Sequence, residues 1–178
     1  MFKIGKRKIS QVDKPYIIAQ ACINHEGNIK LCEKMIRASA DAGVDAVKLQ
    51  TINADANYVK GSESYEIFKN SELSIEETGK MFDLARAFDI EPFTTAGDIS
   101  TIDKVEILNP SAYKISSGMM TNIPVVSHLS RMKKPLLVST GMAITEEIDE
   151  TVEAIRFNSI QGQFGLFQCT SEYPAPEE

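Results

Sequence analysis

"DAVKLQT", residues 45–51, is the stretch on which the reading of the chain turns. Ala46, Val47 and Leu49 make it a short apolar strand, yet Lys48 sits in its middle and Gln50 follows two residues on. Side chains alternate faces along a strand, so Lys48 and Gln50 share one face. An unpaired ammonium in a dry interior is costly, or is neutralised by a lowered pKa. A strand that looks buried and carries a lysine therefore asks for a carboxylate, a phosphate or a covalent partner.

On both sides of this stretch, strand-like and helix-like runs alternate. After Pro15, "YIIAQAC" is an apolar run short enough for a buried strand. "NIKLCEKMIRASADAG" has Leu31, Met35, Ile36 and Ala40 at helical spacing and ends on Gly43, as a helix C-terminus should. Beyond residue 51, "NADANYVKGSESYEIFKNSE" reads as a long polar connection. Ser74 followed by Glu77 is a capping box that opens a helix over 75–88. The pattern then repeats as "IEPFTT" (strand), "STIDKVEILN" (helix), "AYKIS" (strand), "IPVVSHLSRM" (helix), "PLLVST" (strand), "TEEIDETVEAIRFN" (helix) and "FGLFQCT" (strand). Six strands alternating with five helices predict an α/β fold with a parallel sheet, either doubly wound or a (β/α) barrel. No G-x-G-x-x-G follows the first strand, which argues against dinucleotide binding. Phe2 to Ile9, around Gly5, reads as a small N-terminal hairpin, and residues 1–178 as a single domain.

The bulk numbers narrow the function classes. A length of 178 residues gives room for a real core. A net charge of −6 excludes nucleic acid as an expected partner. No apolar run approaches the roughly 18 residues of a membrane span. The basic N-terminus lacks the apolar segment of a signal peptide, so none is read. Three cysteines, Cys22, Cys32 and Cys169, without motif spacing fit reduced thiols and a cytoplasmic protein. With only His25 and His128 as histidines, no zinc site is expected from this chain.

Polar residues collect where the strands end. The six ends supply Gln20, Asn24 and His25; Lys48, Gln50 and Thr51; Thr94 and Thr95; Lys114, Ser116 and Ser117; Ser139 and Thr140; and Gln168, Thr170 and Ser171. Sites in barrels and open α/β sheets form at those C-terminal ends. Polar residues could simply mark where strands stop, which explains the hydroxyls but not Lys48 and Lys114. Salt bridges to core acids would explain the lysines, but no strand end supplies an Asp or Glu nearer than Asp98. Two strand lysines point to an anionic small molecule, with Thr95, Ser117 and Ser139 completing a phosphate or carboxylate cradle. A Schiff-base lysine is the other chemistry open to them. His25 reads as a loop histidine capping a helix start, His128 as structural, and the Met119–Met120 pair as loop packing. Tyr173, in "SEYPAP", is either a packing residue or a substrate contact.

With these residues in view, the chain resembles the sialic acid synthase (N-acetylneuraminate synthase) family. The resemblance rests on "IIAQACINHEGN", "AGVDAVKLQT", "AYKISSG", "KPLLVSTGM" and "CTSEYPAP", in family order, with "FKIGKRKIS" like the family's hairpin. It implies the first six βα units of a (β/α)8 TIM-type barrel. It also implies condensation of phosphoenolpyruvate with an N-acetylated amino sugar such as N-acetylmannosamine, giving a 2-keto sugar acid and phosphate. By the family's pattern Lys48 and Lys114 are the catalytic pair that holds phosphoenolpyruvate. Gln50, Thr95, Ser117, Ser139, Ser171 and Tyr173 are then substrate-binding residues. The family uses a divalent metal, Mn2+ or Mg2+, to polarise the sugar aldehyde.

Three departures from the family pattern bear on activity. Gln20 stands where the family carries a glutamate near the reacting centre, and losing a general base costs about 10²–10⁴ in rate. Met119 stands where the family has a glutamate toward the sugar. The last two barrel strands, with the metal-binding histidines, and the C-terminal sugar-capping domain are not in the sequence. The expectation is a chain inactive by itself, working as a homo-oligomer or with the missing barrel half. The alternatives are a non-catalytic anion-binding remnant, or an aldolase or lyase using Lys114 as a Schiff base.

Overall fold

The apolar runs form strands and the amphipathic runs between them form helices. The computed structural model describes residues 1–159, 163–172 and 175–176. The chain divides into two units, residues 1–112 and 113–178.

The first unit opens with a hairpin, β1 (Phe2–Ile4) and β2 (Arg7–Ile9), turned at Gly5 with φ of +53°. Arg7 pairs with Asp45, donates to the Lys14 carbonyl at 2.8 Å and lies over the Tyr16 ring at 5.4 Å. The other Asp45 oxygen accepts from the Ile17 N–H at 2.7 Å, so one carboxylate ties the hairpin to the start of the sheet. Three parallel strands follow: β3 (Ile18–Cys22), β4 (Ala46–Thr51) and β5 (Glu91–Ala96). Helix α1 (Ile29–Asp41) is capped by Asn28, which accepts from the Leu31 N–H at 3.2 Å. Helix α4 (Ile75–Ala87) has the expected capping box: Glu77 N–H donates to Ser74 Oγ at 3.1 Å, and Ser74 N–H to the Glu77 carboxylate at 2.9 Å. Cys32 and Ile36 of α1 and Met81, Phe82 and Ala85 of α4 form one buried cluster with Val47 and Leu49. Val47 and Leu49 thus face the helices, and alternation turns Ala46, Lys48 and Gln50 to the opposite face. That face is covered too, since every β4 residue but Gln50 is buried.

Two expectations for this unit need correction. The polar connection contains α2 (Ala54–Asn57) and α3 (Glu63–Asn70). No α3 residue is buried, so there is no apolar stripe for periodicity to detect. The helix is held instead by the Ser62 cap, the stacked rings of Tyr58 and Phe68 at 4.6 Å, and Lys69 between Asp55 and Glu72. His25 does not cap α1, because Asn28 does. The imidazole is buried in the preceding turn, where Nδ1 accepts from the Gly27 N–H at 3.2 Å. Helix α5 (Ile99–Glu106) closes the unit, capped by Asp98.

The second unit pairs β6 (Tyr113–Ile115), β7 (Leu136–Ser139) and β8 (Phe164–Phe167) in parallel, with α6 (Ile123–Arg131) and α7 (Thr145–Asn158) between them in sequence. A 3-10 turn at Ser117–Met119 follows β6. Met120 is fully buried, as loop packing requires, and its carbonyl accepts from Thr151 Oγ1 of α7 at 3.0 Å. All of β7 is buried, whereas Leu166 and Phe167 of β8 are exposed. Among the described residues, no helix is long and apolar enough to cross a membrane.

The two supports of α4 differ in size. Ser74→Ala removes the cap and should cost about 1 kcal/mol. Phe82→Ala, at a fully buried position, should cost about 3–5 kcal/mol. Urea unfolding followed by circular dichroism checks both. Equal losses would mean that the helix is not held by its buried face.

Candidate anion site at the strand ends

In the first unit the site begins with Lys48, which is 5% exposed. Its Nζ donates to Thr95 Oγ1 at 3.4 Å and reaches Cys22 Sγ at 3.9 Å, both long contacts. Among the described residues no carboxylate lies within salt-bridge distance of it; the ion pairs of this unit lie elsewhere. Asp98, the nearest strand-end acid, is occupied as the α5 cap, accepting from the Thr101 N–H at 2.9 Å and from Thr101 Oγ1 at 2.7 Å. Burial pushes the Lys48 amine below its ordinary value, and the nearby Cys22 thiol only partly counters this. Gln50 is half-buried and in register with Thr95, so the two share the lysine's side of the sheet. Gln20 is in register with Lys48 and exposed. Thr51 and Thr94 resemble site hydroxyls in the sequence, but they bond to each other at 2.9 Å and serve the sheet.

In the second unit Lys114 is half-buried and better served. Its Nζ donates to Ser139 Oγ at 2.5 Å and to the Ile115 carbonyl at 2.9 Å, and lies 5.7 Å from the centre of the Phe167 ring. Ser117 Oγ accepts from the Gly141 N–H at 3.1 Å. A side chain at Gly141 would have its Cβ 2.7 Å from Ser171 Oγ and 2.9 Å from Ser117 Oγ, so both serine hydroxyls crowd that backbone. Burial alone would raise the Cys169 thiol. Hydrogen bonds from Ser139 and from the Thr140 and Gly141 backbone, with the charge of Lys114, bring it below its ordinary value instead.

The sequence-predicted residues therefore fall into two sets. Lys48 meets Thr95 in the first unit, with Gln50 alongside. Lys114 meets Ser139 in the second, where Ser117 and Ser171 flank Gly141. Tyr173 lies outside the described residues. The sequence reading passed over Cys22 and Cys169, each of which stands beside one lysine. The available signal was their place at the ends of the first and sixth strands. Among the described residues, no group of three or more His, Cys, Asp or Glu side chains is placed to hold a metal ion.

Comparison with known proteins adds an independent line. The NeuB family profile matches residues 35–178. An N,N'-diacetyllegionaminic acid synthase of Legionella pneumophila is 36% identical over 177 residues, covering 90% of this chain and 50% of that protein. The crystal structure of an N-acetylneuraminic acid (sialic acid) synthetase from Leptospira borgpetersenii superposes with a TM-score of 0.93 at 26% identity, covering 99% of this chain and 61% of that one. A spore coat polysaccharide biosynthesis protein of Bacillus subtilis superposes with a TM-score of 0.85 at 29% identity, covering 98% of this chain and 49% of that one. The chain spans about half the length of the curated relatives it matches. Its fold is α/β of the (β/α)8 TIM-barrel type, comprising the first six βα units and the N-terminal hairpin.

Lys48 also predicts a pH dependence of stability. Its folded pKa lies below its ordinary value of 10.5, so between the two the unfolded chain binds more protons than the folded one. Stability therefore rises with pH across that window. The destabilisation is complete below the folded value and gone above the unfolded one. Lys48→Met should be more stable than the parent at neutral pH, by an amount comparable to the roughly 1–4 kcal/mol seen when buried ion pairs are replaced by apolar side chains. That advantage should shrink as pH approaches 10.5. Parallel urea titrations at several pH values measure it. A difference independent of pH would show that Lys48 is satisfied in the folded chain.

Proposed function

The chain belongs to the NeuB family, and from that membership we propose that it carries the phosphoenolpyruvate-binding part of a synthase. The reaction condenses phosphoenolpyruvate with an N-acetylated amino sugar and gives a sialic-acid-type 2-keto sugar acid and phosphate. The observation that carries the reading is Lys48, a buried ammonium with no carboxylate beside it among the described residues.

Phosphoenolpyruvate brings a phosphate and a carboxylate, and either supplies the charge that Lys48 lacks. Lys48 with Thr95 is read as one set of donors to that ligand, and Lys114 with Ser139 and Ser117 as another. In the reaction, C3 of phosphoenolpyruvate bonds to the open-chain aldehyde carbon of the sugar. Water adds at C2, the C–O bond to phosphorus-bearing oxygen breaks, and phosphate leaves. Fixed ammonium and hydroxyl donors stabilise the charge gathering on the departing phosphate, at the point where such preorganised groups are most effective. A divalent metal, implied by the sequence resemblance, does not fit onto the described residues, since none of them form a ligand cluster.

Calorimetric titration with phosphoenolpyruvate tests the reading. A charged hydrogen bond contributes about 1.5–3 kcal/mol. Lys48→Met and Lys114→Met should therefore each weaken binding by roughly 10-fold to 100-fold. Binding by the parent that neither substitution weakens would overturn the assignment.

A further inference from the structure

Cys22 stands at a place where the backbone is strained. The register of β3 against β4 slips between Gln20 and Cys22. Cys22 itself has φ of +51°, in the left-handed region. That region is uncommon for residues other than glycine, asparagine and aspartate, and costs about 1–2 kcal/mol when a Cβ is present. Bulges of this kind re-aim a side chain, and persistent strain of this kind collects at functional positions. Here the slip aims Cys22 Sγ at Lys48 Nζ, 3.9 Å away.

The two partners are matched in chemistry. Lys48 is 5% exposed, has no carboxylate beside it among the described residues, and burial lowers its amine below the ordinary value, toward the nucleophilic form. Cys22 is half-buried, within reach of a small oxidant. Cys32, the other thiol of this unit, is sealed in the core, and burial together with the charge of Glu33 pushes it up to about 11, which makes it inert.

We propose that Cys22 and Lys48 form a peroxide-triggered, thiol-reversible sulfenamide cross-link. In the first step the Cys22 sulfur attacks hydrogen peroxide and the O–O bond breaks. Sulfur is oxidised by two electrons to sulfenic acid, and the peroxide is reduced to water. In the second step the Lys48 nitrogen attacks that sulfur. The S–N bond forms, the S–O bond breaks, and the departing hydroxide takes a proton from nitrogen as a second water. The chain loses two hydrogens in all, and a thiol reductant returns both side chains. Resting on the function proposed above, the cross-link also withdraws Lys48 from the anion, so oxidation switches phosphoenolpyruvate binding off.

The test is mass spectrometry of the peroxide-treated 178-residue chain, digested without reductant. The expected product is a peptide pair joined through Cys22 and Lys48, two hydrogens lighter than the sum of its parts. It should be abolished by dithiothreitol and absent when the chain is oxidised in urea. In Lys48→Arg the sulfenic acid should survive to be trapped at Cys22 by dimedone. Trapping at Cys22 in the parent with Lys48 unmodified overturns the proposal, as does a disulfide from Cys22 to Cys32 or Cys169. A cross-link that forms in a chain whose reduced form binds no phosphoenolpyruvate would sink the functional reading and leave the cross-link standing.

Discussion

A primary amine on the far side of a strand already packed against two helices sets the terms for the first unit. Val47 and Leu49 commit one face of β4 to the core, so Lys48 has nowhere to go but the other. An ammonium offers three donors. One is met by the Thr95 hydroxyl at 3.4 Å, well beyond the usual 2.9 Å or so of a good N–H···O bond, and one by the Cys22 sulfur at 3.9 Å. Lys114 is the useful contrast. It is half-buried, bonds Ser139 at 2.5 Å and a carbonyl at 2.9 Å, and sits near an aromatic ring. The two lysines look alike in the sequence but differ in what they lack. Lys114 is largely satisfied by its own unit, whereas Thr95 and Cys22 both meet Lys48 at long distance. A ligand that completes it stabilises the fold by mass action as well as being bound.

The fold was legible wherever a residue pattern had one physical cause. Helix α4 was marked by Ser74 and Glu77, whose reciprocal bonds exist only at a helix start. Strand β4 was marked by a short apolar run bounded by polar residues. Helices α2 and α3 were not legible, because periodicity reports burial and α3 buries nothing. The entry to α1 was misassigned for a related reason. His25 and Asn28 are both plausible caps by residue type, and the choice depends on which side chain the turn sends inward. The turn buries His25 and leaves Asn28 on the outside, free to cap.

The site was legible to the extent that it conflicts with its surroundings. A lysine inside an apolar strand is a contradiction visible in the letters, and so Lys48 and Lys114 stood out. Hydroxyls carry no such contradiction. Thr94 and Thr95 are neighbours in sequence and equally buried, yet Thr94 bonds Thr51 while Thr95 meets Lys48. Alternation puts them on opposite faces of β5, and register against β4 gives each its partner. Gly141 is a stronger instance. Its role is to leave room between Ser117 and Ser171, residues 24 positions before it and 30 after, a relation no local pattern encodes. Cys22 was hidden because its importance comes from a register slip and a positive φ, both properties of the backbone.

The two uses proposed for Lys48 exclude each other. An anion beside it favours the ammonium, whose nitrogen has no free lone pair and cannot attack sulfur. Without the anion, burial favours the neutral amine, which can. On the binding proposed above, an anion would therefore protect Lys48 from the proposed cross-link through the same charge that binds it. Strain at Cys22 acts in the same direction, because a left-handed cysteine at a bulge holds its sulfur toward the amine. The two proposals are thus coupled through the protonation of one nitrogen, which an anion and burial push in opposite directions.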